Sequence, residues 1–534
     1  MATTPFNAIN LGDLAPAGVA DERVALIALD DAQKETRYTY AELDAAACAA
    51  ARGLRARGLQ PGQRVAVLSA NCADYLVLLL GALRAGITVV PVNYKFPQAM
   101  SDFVIRDSDA VMVFSDAERR GNAPSDLPLV VFGDGSEGGF DALLDPGPFD
   151  TVQPVAEDLA LILYTSGSTG KPKGVKLTHQ SHLWVVKTRL GDQDLSDQRY
   201  LIAAPMYHMN ALALIQLALA GASTIILLPQ FTAKAYIEAT SRYRATWLTS
   251  VPPMMAMLLR EKQALETADF SSVQVVRMGS APVSEALLKA IKHLMPHAKI
   301  INSYGTTEGG PVTFGPHPDG LPQPDMSIGY AHPQVRVRLV DEQGVASDQG
   351  VLELSSPGIM AGYHKRPDIT NAITPDGYYV TGDVLRRDAA GFYYFVGRND
   401  DMFVCGGENI FPGEVEKVLE THPGIQQASV IAVPDEIKGH KPVAFVVLAP
   451  GSELDEAAIK AHALANAPAY QHPRRVWILP ALPLASTNKV DRAELKRRAQ
   501  AALSETAAVP AKAAAESRRA GDADRPVRLP TRGL

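Results

Sequence analysis

The chain has 534 residues, 47% hydrophobic and 20% charged, which is too long for one ordinary core and too apolar for a disordered chain. A net charge of -7 argues against a nucleic-acid binder, which would show a basic face, but leaves a small anionic ligand open because a phosphate needs only local donors. Three cysteines, Cys48, Cys72 and Cys405, lack metal-ligand spacing and a disulfide framework; Met1 to Gly12 lacks the marks of a secretory leader and no apolar run reaches a membrane span, so a cytoplasmic chain without a transmembrane segment is expected.

In chain order, Thr39-x-x-Glu42 is a capping box that opens a helix over Tyr40–Arg57. Arg64–Leu68 reads as a buried strand, Cys72–Ala85 as a helix and Ile87–Val92 as the next strand. The alternation returns at Thr224–Leu228, Thr232–Arg242, Ala245–Ser250, Met254–Lys262, Val273–Arg277, Ser284–His293 and Lys299–Asn302. Strands alternating with helices predict βαβ units and mostly parallel sheets, an α/β fold. Near Ser327 the pattern becomes short strands between turns: Val335–Val340, Val351–Leu354, Tyr378–Val380 and Phe392–Val396. After Gly397 an α+β pattern follows, with a helix at Gly413–Thr421, strands at Ala428–Val433 and Val443–Val447, and helices at Asp455–Asn466 and Asp491–Ala501.

The expected organisation is therefore a large N-terminal domain over 1–398, with a β-rich subdomain at about 327–398. A small mobile C-terminal domain follows over 399–504, and a flexible tail over 505–534, rich in Ala, Arg, Asp and Pro.

Between the apolar run Leu159–Leu163 and Gly174 lie Thr165, Ser166, Gly167, Ser168, Thr169, Gly170, Lys171 and Lys173. Glycines let the backbone approach an anion, hydroxyls donate hydrogen bonds and lysines supply charge. The Walker pattern would need a glycine at 165, where Thr stands, so a P-loop kinase is disfavoured. Composition alone also allows a Gly/Ser linker, which the two lysines and the preceding strand oppose.

Tyr164–Gly174 resembles the signature loop of the adenylate-forming superfamily, the group of acyl-CoA synthetases, aryl-CoA ligases, adenylation domains and luciferases. Other motifs similar to that superfamily follow in order. They are Tyr304-Gly305-Thr306-Thr307-Glu308, Thr381-Gly382-Asp383, Gly397-Arg398, Gly406-Gly407-Glu408-Asn409-Ile410 and Pro483–Lys489. The resemblance runs from about Tyr38 to Lys496.

It implies ATP, Mg²⁺ and coenzyme A, and a role for each matched residue. Tyr304 offers a ring to adenine, with Asn302, Gly305 and Thr306 beside it. Ser280, Ala281, Pro282 and Gly279 line the adenine and acyl pockets. Asp383 and Arg398 suit the ribose. Glu308 and Thr165 are the metal-side oxygens, and Thr307 is the α-phosphate hydroxyl. His208, after Tyr207, lies beside the acyl carboxylate; alone it would pass for a structural histidine. Lys489 neutralises charge shared by carboxylate and α-phosphate. It follows Asn488 where Gly is usual, a residue that still tolerates φ > 0. Asp400 is the candidate hinge, and Gly406, Gly407 and Glu408 the segment that meets the pantetheine thiol.

The implied reaction makes an acyl-adenylate and pyrophosphate, then acyl-CoA and AMP. The partners are a small carboxylic acid, ATP and CoA, and a homodimer is compatible with the sequence. The expected acid pocket, formed by Tyr207, His208, Met209, Met254, Met278, Gly279, Gly305 and Gly310, is neutral, which suits a fatty or aromatic acid. Alternatives are an enzyme loading a carrier protein, for which no carboxylate near His208 would hold an amino-acid ammonium, a luciferase-like oxygenase, and a nucleotide binder without ligase chemistry.

Overall fold

The structure is a computed structural model that describes residues 6–165, 172–279, 281, 283–367, 372–405, 408–435, 438–485 and 488–503. The chain forms two compact units, Met1–Asp400 with Ser486–Lys489, and Asp401–Ala485 with Val490–Leu534.

The first unit holds three sheets. One has the strand order Lys299–Ser303, Val275–Gly279, Trp247–Ser250, Arg199–Ile202, Thr224–Leu227, Val24–Leu29 and Glu35–Thr39, parallel except for the last pair. A second runs Leu129–Val131, Ala110–Ser115, Arg64–Leu68, Thr88–Pro91, Leu159–Thr165 and Lys173–Thr178, again parallel except for the last pair. The third is antiparallel throughout, in the order Phe314–Gly315, Gly329–Ala331, Phe392–Arg398, Tyr379–Arg387, Gln349–Ser355 and Arg336–Val340. Parallel strands need crossover helices, and these cover both faces.

The alternation of side chains decides which core each strand residue joins. On the first sheet Leu201, Leu248, Val276 and Met278 pack with the helices Ala233–Arg242, Pro252–Leu258 and Glu285–Leu294. Tyr200 and Ile202 turn the other way, to the core shared with Tyr40–Ala56, Ala73–Arg84 and Met209–Ala220.

Local signals acted as their chemistry requires. Thr39 and Glu42 form both halves of the capping box. Thr232, Ser284 and Asp455 cap their helices through side-chain oxygens. Three expectations need correction. The helix expected over Met254–Lys262 is two pieces, Pro252–Leu258 and Lys262–Glu266. It starts early because Pro252 and Pro253 occupy first-turn positions, where a missing N–H costs nothing. The strand expected to end at Val380 continues to Arg387, because the ladder absorbs Thr381-Gly382-Asp383 in a kink: Gly382 takes φ +74° and the register slips between Val384 and Leu385. The lysine end of the phosphate loop is itself a strand: Thr165 pairs with Lys173 and Tyr164 with Gly174, closing the loop as an antiparallel hairpin.

The second unit is a sheet of Glu408–Ile410, Phe403–Cys405, Gly439–Leu448 and Ile425–Asp435, with Val476–Ile478 parallel to Gly439–Leu448. Helices Pro412–Glu420 and Glu456–Asn466 cover one face, and residues 492–503 are helical. The tail expected beyond 504 lies outside the described residues.

Candidate active site

Three segments of the first unit meet through side-chain hydrogen bonds. On the antiparallel sheet, Asp383 and Arg398 are paired in register on neighbouring strands, and Arg398 Nη1 donates to Asp383 Oδ1 at 3.0 Å. Asp383 is 5% exposed; its second oxygen accepts from the Tyr304 hydroxyl at 2.5 Å. Burial is the main influence on both groups: it raises the pKa of Asp383 against the pull of Arg398, and it drives the Tyr304 phenol far up. Arg398 also grips Asp400, Nε to Oδ1 at 2.9 Å and Nη2 to Oδ2 at 3.1 Å, a two-pronged pair that raises the guanidinium pKa further.

The loop after Tyr304 folds back, with Gly309 N donating to Thr306 Oγ1 at 2.8 Å and Thr306 bridged to Gly310. Thr307 is half-buried within it. Glu308 Oε1 accepts from the Tyr363 hydroxyl at 3.0 Å, and Lys173 Nζ lies 4.8 Å from the centre of the Tyr363 ring. Tyr363 thus joins the end of the phosphate hairpin to the carboxylate of Glu308. Sequence reasoning missed it, since a single tyrosine in a turn carries no periodic signal. At the hairpin mouth Thr165 Oγ1 is buried and has no partner among the described residues.

The acyl side is built at a helix start. His208 is the N-cap residue of Met209–Ala220, with extended φ -114° and ψ 144°, but its side chain does not cap. The imidazole packs 4.5 Å from the Tyr207 ring and leaves Nε2 buried and unpartnered. Burial, with Lys489 and Lys95 adding to it, lowers its pKa to about 3, so the ring is neutral. Tyr207 in turn stands edge-on to Tyr94 at 5.4 Å.

Asn488 and Lys489 group with this unit. Asn488 adopts φ +58°, the left-handed conformation in which glycine is at ease and asparagine is tolerated. Lys489 is exposed by area, yet burial is the first influence on its ammonium and lowers its pKa. The charges of Asp383, Arg398 and Glu308 follow.

Gly279 faces Ser303 so closely that a Cβ there would stand 2.6 Å from Ser303 Oγ. Asn302 donates at 3.4 Å to the carbonyls of Met326 and Ser327. Ala281 is half-buried. Met278, expected in the acid pocket, alternates with Gly279 and packs in the opposite core, and Met254 lies in that same opposite core. Strand alternation therefore separates Met278 from the face that bears Gly279, and Met254 joins the same opposite core from the helix Pro252–Leu258. Glu408 is exposed in the second unit, paired with Cys405. Ser166, Gly167, Ser168, Thr169, Gly170, Lys171, Ser280, Pro282, Gly406 and Gly407 lie outside the described residues.

Among the described residues no three His, Cys, Asp or Glu side chains gather as a metal site. Glu308 is a hard oxygen donor of the kind that suits Mg²⁺ alongside phosphate oxygens. Among the described residues no helix is long and apolar enough to cross a membrane.

The chain matches the family described as AMP-binding enzyme over residues 16–364, and AMP-binding enzyme C-terminal domain over residues 414–489. It belongs to the AMP-binding enzyme family. It is 34% identical over 473 residues to the feruloyl-CoA synthase of an Amycolatopsis species, covering 87% of this chain and 94% of that one. It is 32% identical over 475 residues to the sulfoacetate–CoA ligase of Cupriavidus necator, covering 86% and 92%. The solved structure of the anthranilate CoA ligase AuaEII in complex with anthranoyl-AMP superposes with a TM-score of 0.83 at 25% identity, covering 94% of this chain and 99% of that one. The chain is accordingly an AMP-forming acid–CoA ligase of the adenylate-forming superfamily, using ATP, Mg²⁺ and CoA.

Proposed function

We propose that the acid this ligase activates is a compact aromatic carboxylic acid and that the residues above divide the work as follows. Asp383 accepts from the ribose hydroxyls and Tyr304 stacks on adenine. Lys173 and the rest of the hairpin loop hold the β- and γ-phosphates, and Glu308 takes Mg²⁺. A carboxylate is already ionised near neutrality, so its attack on the α-phosphorus needs no general base. The work lies in alignment and in spreading charge, which falls to Lys489 and Thr307. The neutral His208, with an uncommitted Nε2, can orient the acid without adding charge. Asp400 serves as the hinge between half-reactions, so that residues 406–409 replace Lys489 when the thiol attacks.

The observation that carries this reading is the joining of Lys173, Tyr363 and Glu308 on one side and Tyr304, Asp383 and Arg398 on the other within one unit. Small residues on the acyl side, Gly279, Ser303 and Gly305, favour a flat ring over a branched chain. The names of the Amycolatopsis synthase and of the anthranilate ligase, both on aromatic acids, agree with it.

The test is release of pyrophosphate and formation of acyl-CoA with a panel of benzoates, cinnamates and straight-chain fatty acids. Aromatic acids should lead by about tenfold or more in kcat/KM, the effect of about 1.4 kcal/mol in the pocket. A lead of the same size for octanoate or palmitate overturns the aromatic assignment. No acid-dependent pyrophosphate release overturns the whole scheme.

A further inference from the structure

The strand Val275–Gly279 places Arg277 on the same face as Gly279, about 7 Å away along the strand. Met278 and Val276 point to the opposite core. Arg277 therefore projects from the face of this sheet opposite to Met278, the face whose core includes residues of the helices His179–Leu190 and Met209–Ala220. It is half-buried, and among the described residues it has neither a hydrogen-bond acceptor nor an ion-pair partner. Buried arginines are ordinarily paired.

Its surroundings make the gap sharper. The charge that acts on it is a second guanidinium, Arg189, whose own acceptor is the Ala213 carbonyl at 3.0 Å. Burial and Arg189 together lower the Arg277 pKa to about 9. Thr249 is its register neighbour on the adjoining strand, and Thr249 Oγ1 is buried without a partner. On the same face the Tyr200 and Trp247 rings lie 5.1 Å apart, tilted by 31°, and among the described residues neither the buried Tyr200 hydroxyl nor the buried Trp247 Nε1 has a partner. Arg189 acts electrostatically on Tyr200 as well as on Arg277, which puts the two guanidiniums and the phenol in one neighbourhood. Two cations, a ring N–H and two hydroxyls thus share one region with no carboxylate among them. Each uncommitted group carries a desolvation cost that a bound acceptor would remove.

We propose that this donor cluster, centred on Arg277, is the specificity site for the far end of the acid, and that the substrate is a carboxylic acid carrying a second anionic oxygen group opposite the reacting carboxylate. The inference rests on the reading of the Gly279 face as the acyl slot and refines it: the slot walls are neutral, and the floor is cationic. A hydrocarbon terminus would leave the Arg277 guanidinium without an acceptor and both guanidiniums without a counter-charge. An anionic terminus would pair them and give the Tyr200, Trp247 and Thr249 groups an acceptor. A site built to hydrogen-bond one substrate group rejects the analogue that lacks it far more strongly than a greasy pocket rejects a wrong size.

Matched pairs test this: 4-carboxycinnamate against 4-methylcinnamate, and adipate against hexanoate, each followed by pyrophosphate release and acyl-CoA formation. The wild-type chain should favour the dianion of the better pair by about tenfold or more in kcat/KM. Arg277→Met, of similar length and no charge, should bring that ratio to within about threefold of unity, and Arg277→Lys should restore part of it. The wild-type ratio stands independently of how well the variants fold. A wild-type preference for the methyl-ended acids, with those acids turned over normally, overturns this inference and leaves the ligase reading intact. An Arg277→Met variant that slows both members of a pair equally overturns it too. Absence of acid-dependent pyrophosphate release with every member overturns both readings.

Discussion

Replacing Asp383 by asparagine keeps the shape of the side chain and removes its charge. The carboxylate is buried and holds two donors, Tyr304 OH at 2.5 Å and Arg398 Nη1 at 3.0 Å. An asparagine can still accept from Arg398 through its oxygen, while its amide turns to Tyr304, whose hydroxyl can accept. Arg398 keeps its paired contacts with Asp400. The fold should therefore survive, and the loss should fall on the nucleotide. A hydrogen bond to a charged acceptor contributes about 1.5–3 kcal/mol, so losing one ribose hydroxyl's acceptor should weaken productive ATP use by roughly 10- to 150-fold. The assay is pyrophosphate release with ATP, 2′-deoxy-ATP and 3′-deoxy-ATP as the varied substrates. The wild-type chain should prefer ATP over at least one deoxy analogue by about tenfold or more, and Asp383→Asn should lose most of that preference. If the variant slows all three nucleotides by the same factor, Asp383 does not touch the ribose and the placement of the nucleotide falls with it.

Lys489→Ala should slow adenylation by about 100-fold or more, as removal of a preorganised charge does, while thioester formation from supplied acyl-adenylate stays within about threefold; equal losses in both half-reactions would remove Lys489 from the first. Gly279→Ala would bring a methyl to 2.6 Å from Ser303 Oγ. It should raise the KM for the acid by about tenfold with little change in the KM for ATP, and a change confined to ATP would contradict the slot's location. His179 is 2% exposed, accepts from Leu11 N at 3.2 Å through Nδ1, and has its pKa lowered to about 4 by burial. Because the unfolded ring titrates near 6.5, the stability it contributes is complete above that value and is lost as pH falls toward 4. It should cost about 2 kcal/mol between pH 6.5 and pH 5. Urea unfolding at both pH values should show that drop in the wild-type chain and a smaller one in His179→Gln; equal drops would assign the acid sensitivity elsewhere.

The alternation of strands and helices was readable because parallel strands are short apolar runs and their crossover helices are long and periodic. Glu308, Asp383 and Arg398 were legible through the motifs that carry them, Tyr304–Glu308, Thr381–Asp383 and Gly397-Arg398, and not through residue type alone. What was hidden depended on pairing between distant strands. Lys173 and Gly174 read as the end of a phosphate loop, yet they belong to a hairpin whose partner strand begins at Leu159. Thr381-Gly382-Asp383 read as a strand end, yet a positive φ at one glycine lets the ladder continue past it. Tyr363 has no pattern of its own and matters only through the two groups it touches. Arg277 sat in plain view within a strand, but its meaning depends on which face it takes and on the absence of a carboxylate there. The same alternation removed Met278 from the acid pocket, where proximity to Gly279 in sequence had placed it.

In the proposed reaction the acid's own carboxylate attacks the α-phosphorus of ATP. Acid labelled with ¹⁸O in both carboxylate oxygens, turned over with ATP and CoA, tests it directly by mass spectrometry of the nucleotide product. One labelled oxygen per AMP, with unlabelled pyrophosphate, is the result this account predicts. Unlabelled AMP, or ADP with label in orthophosphate, would contradict it.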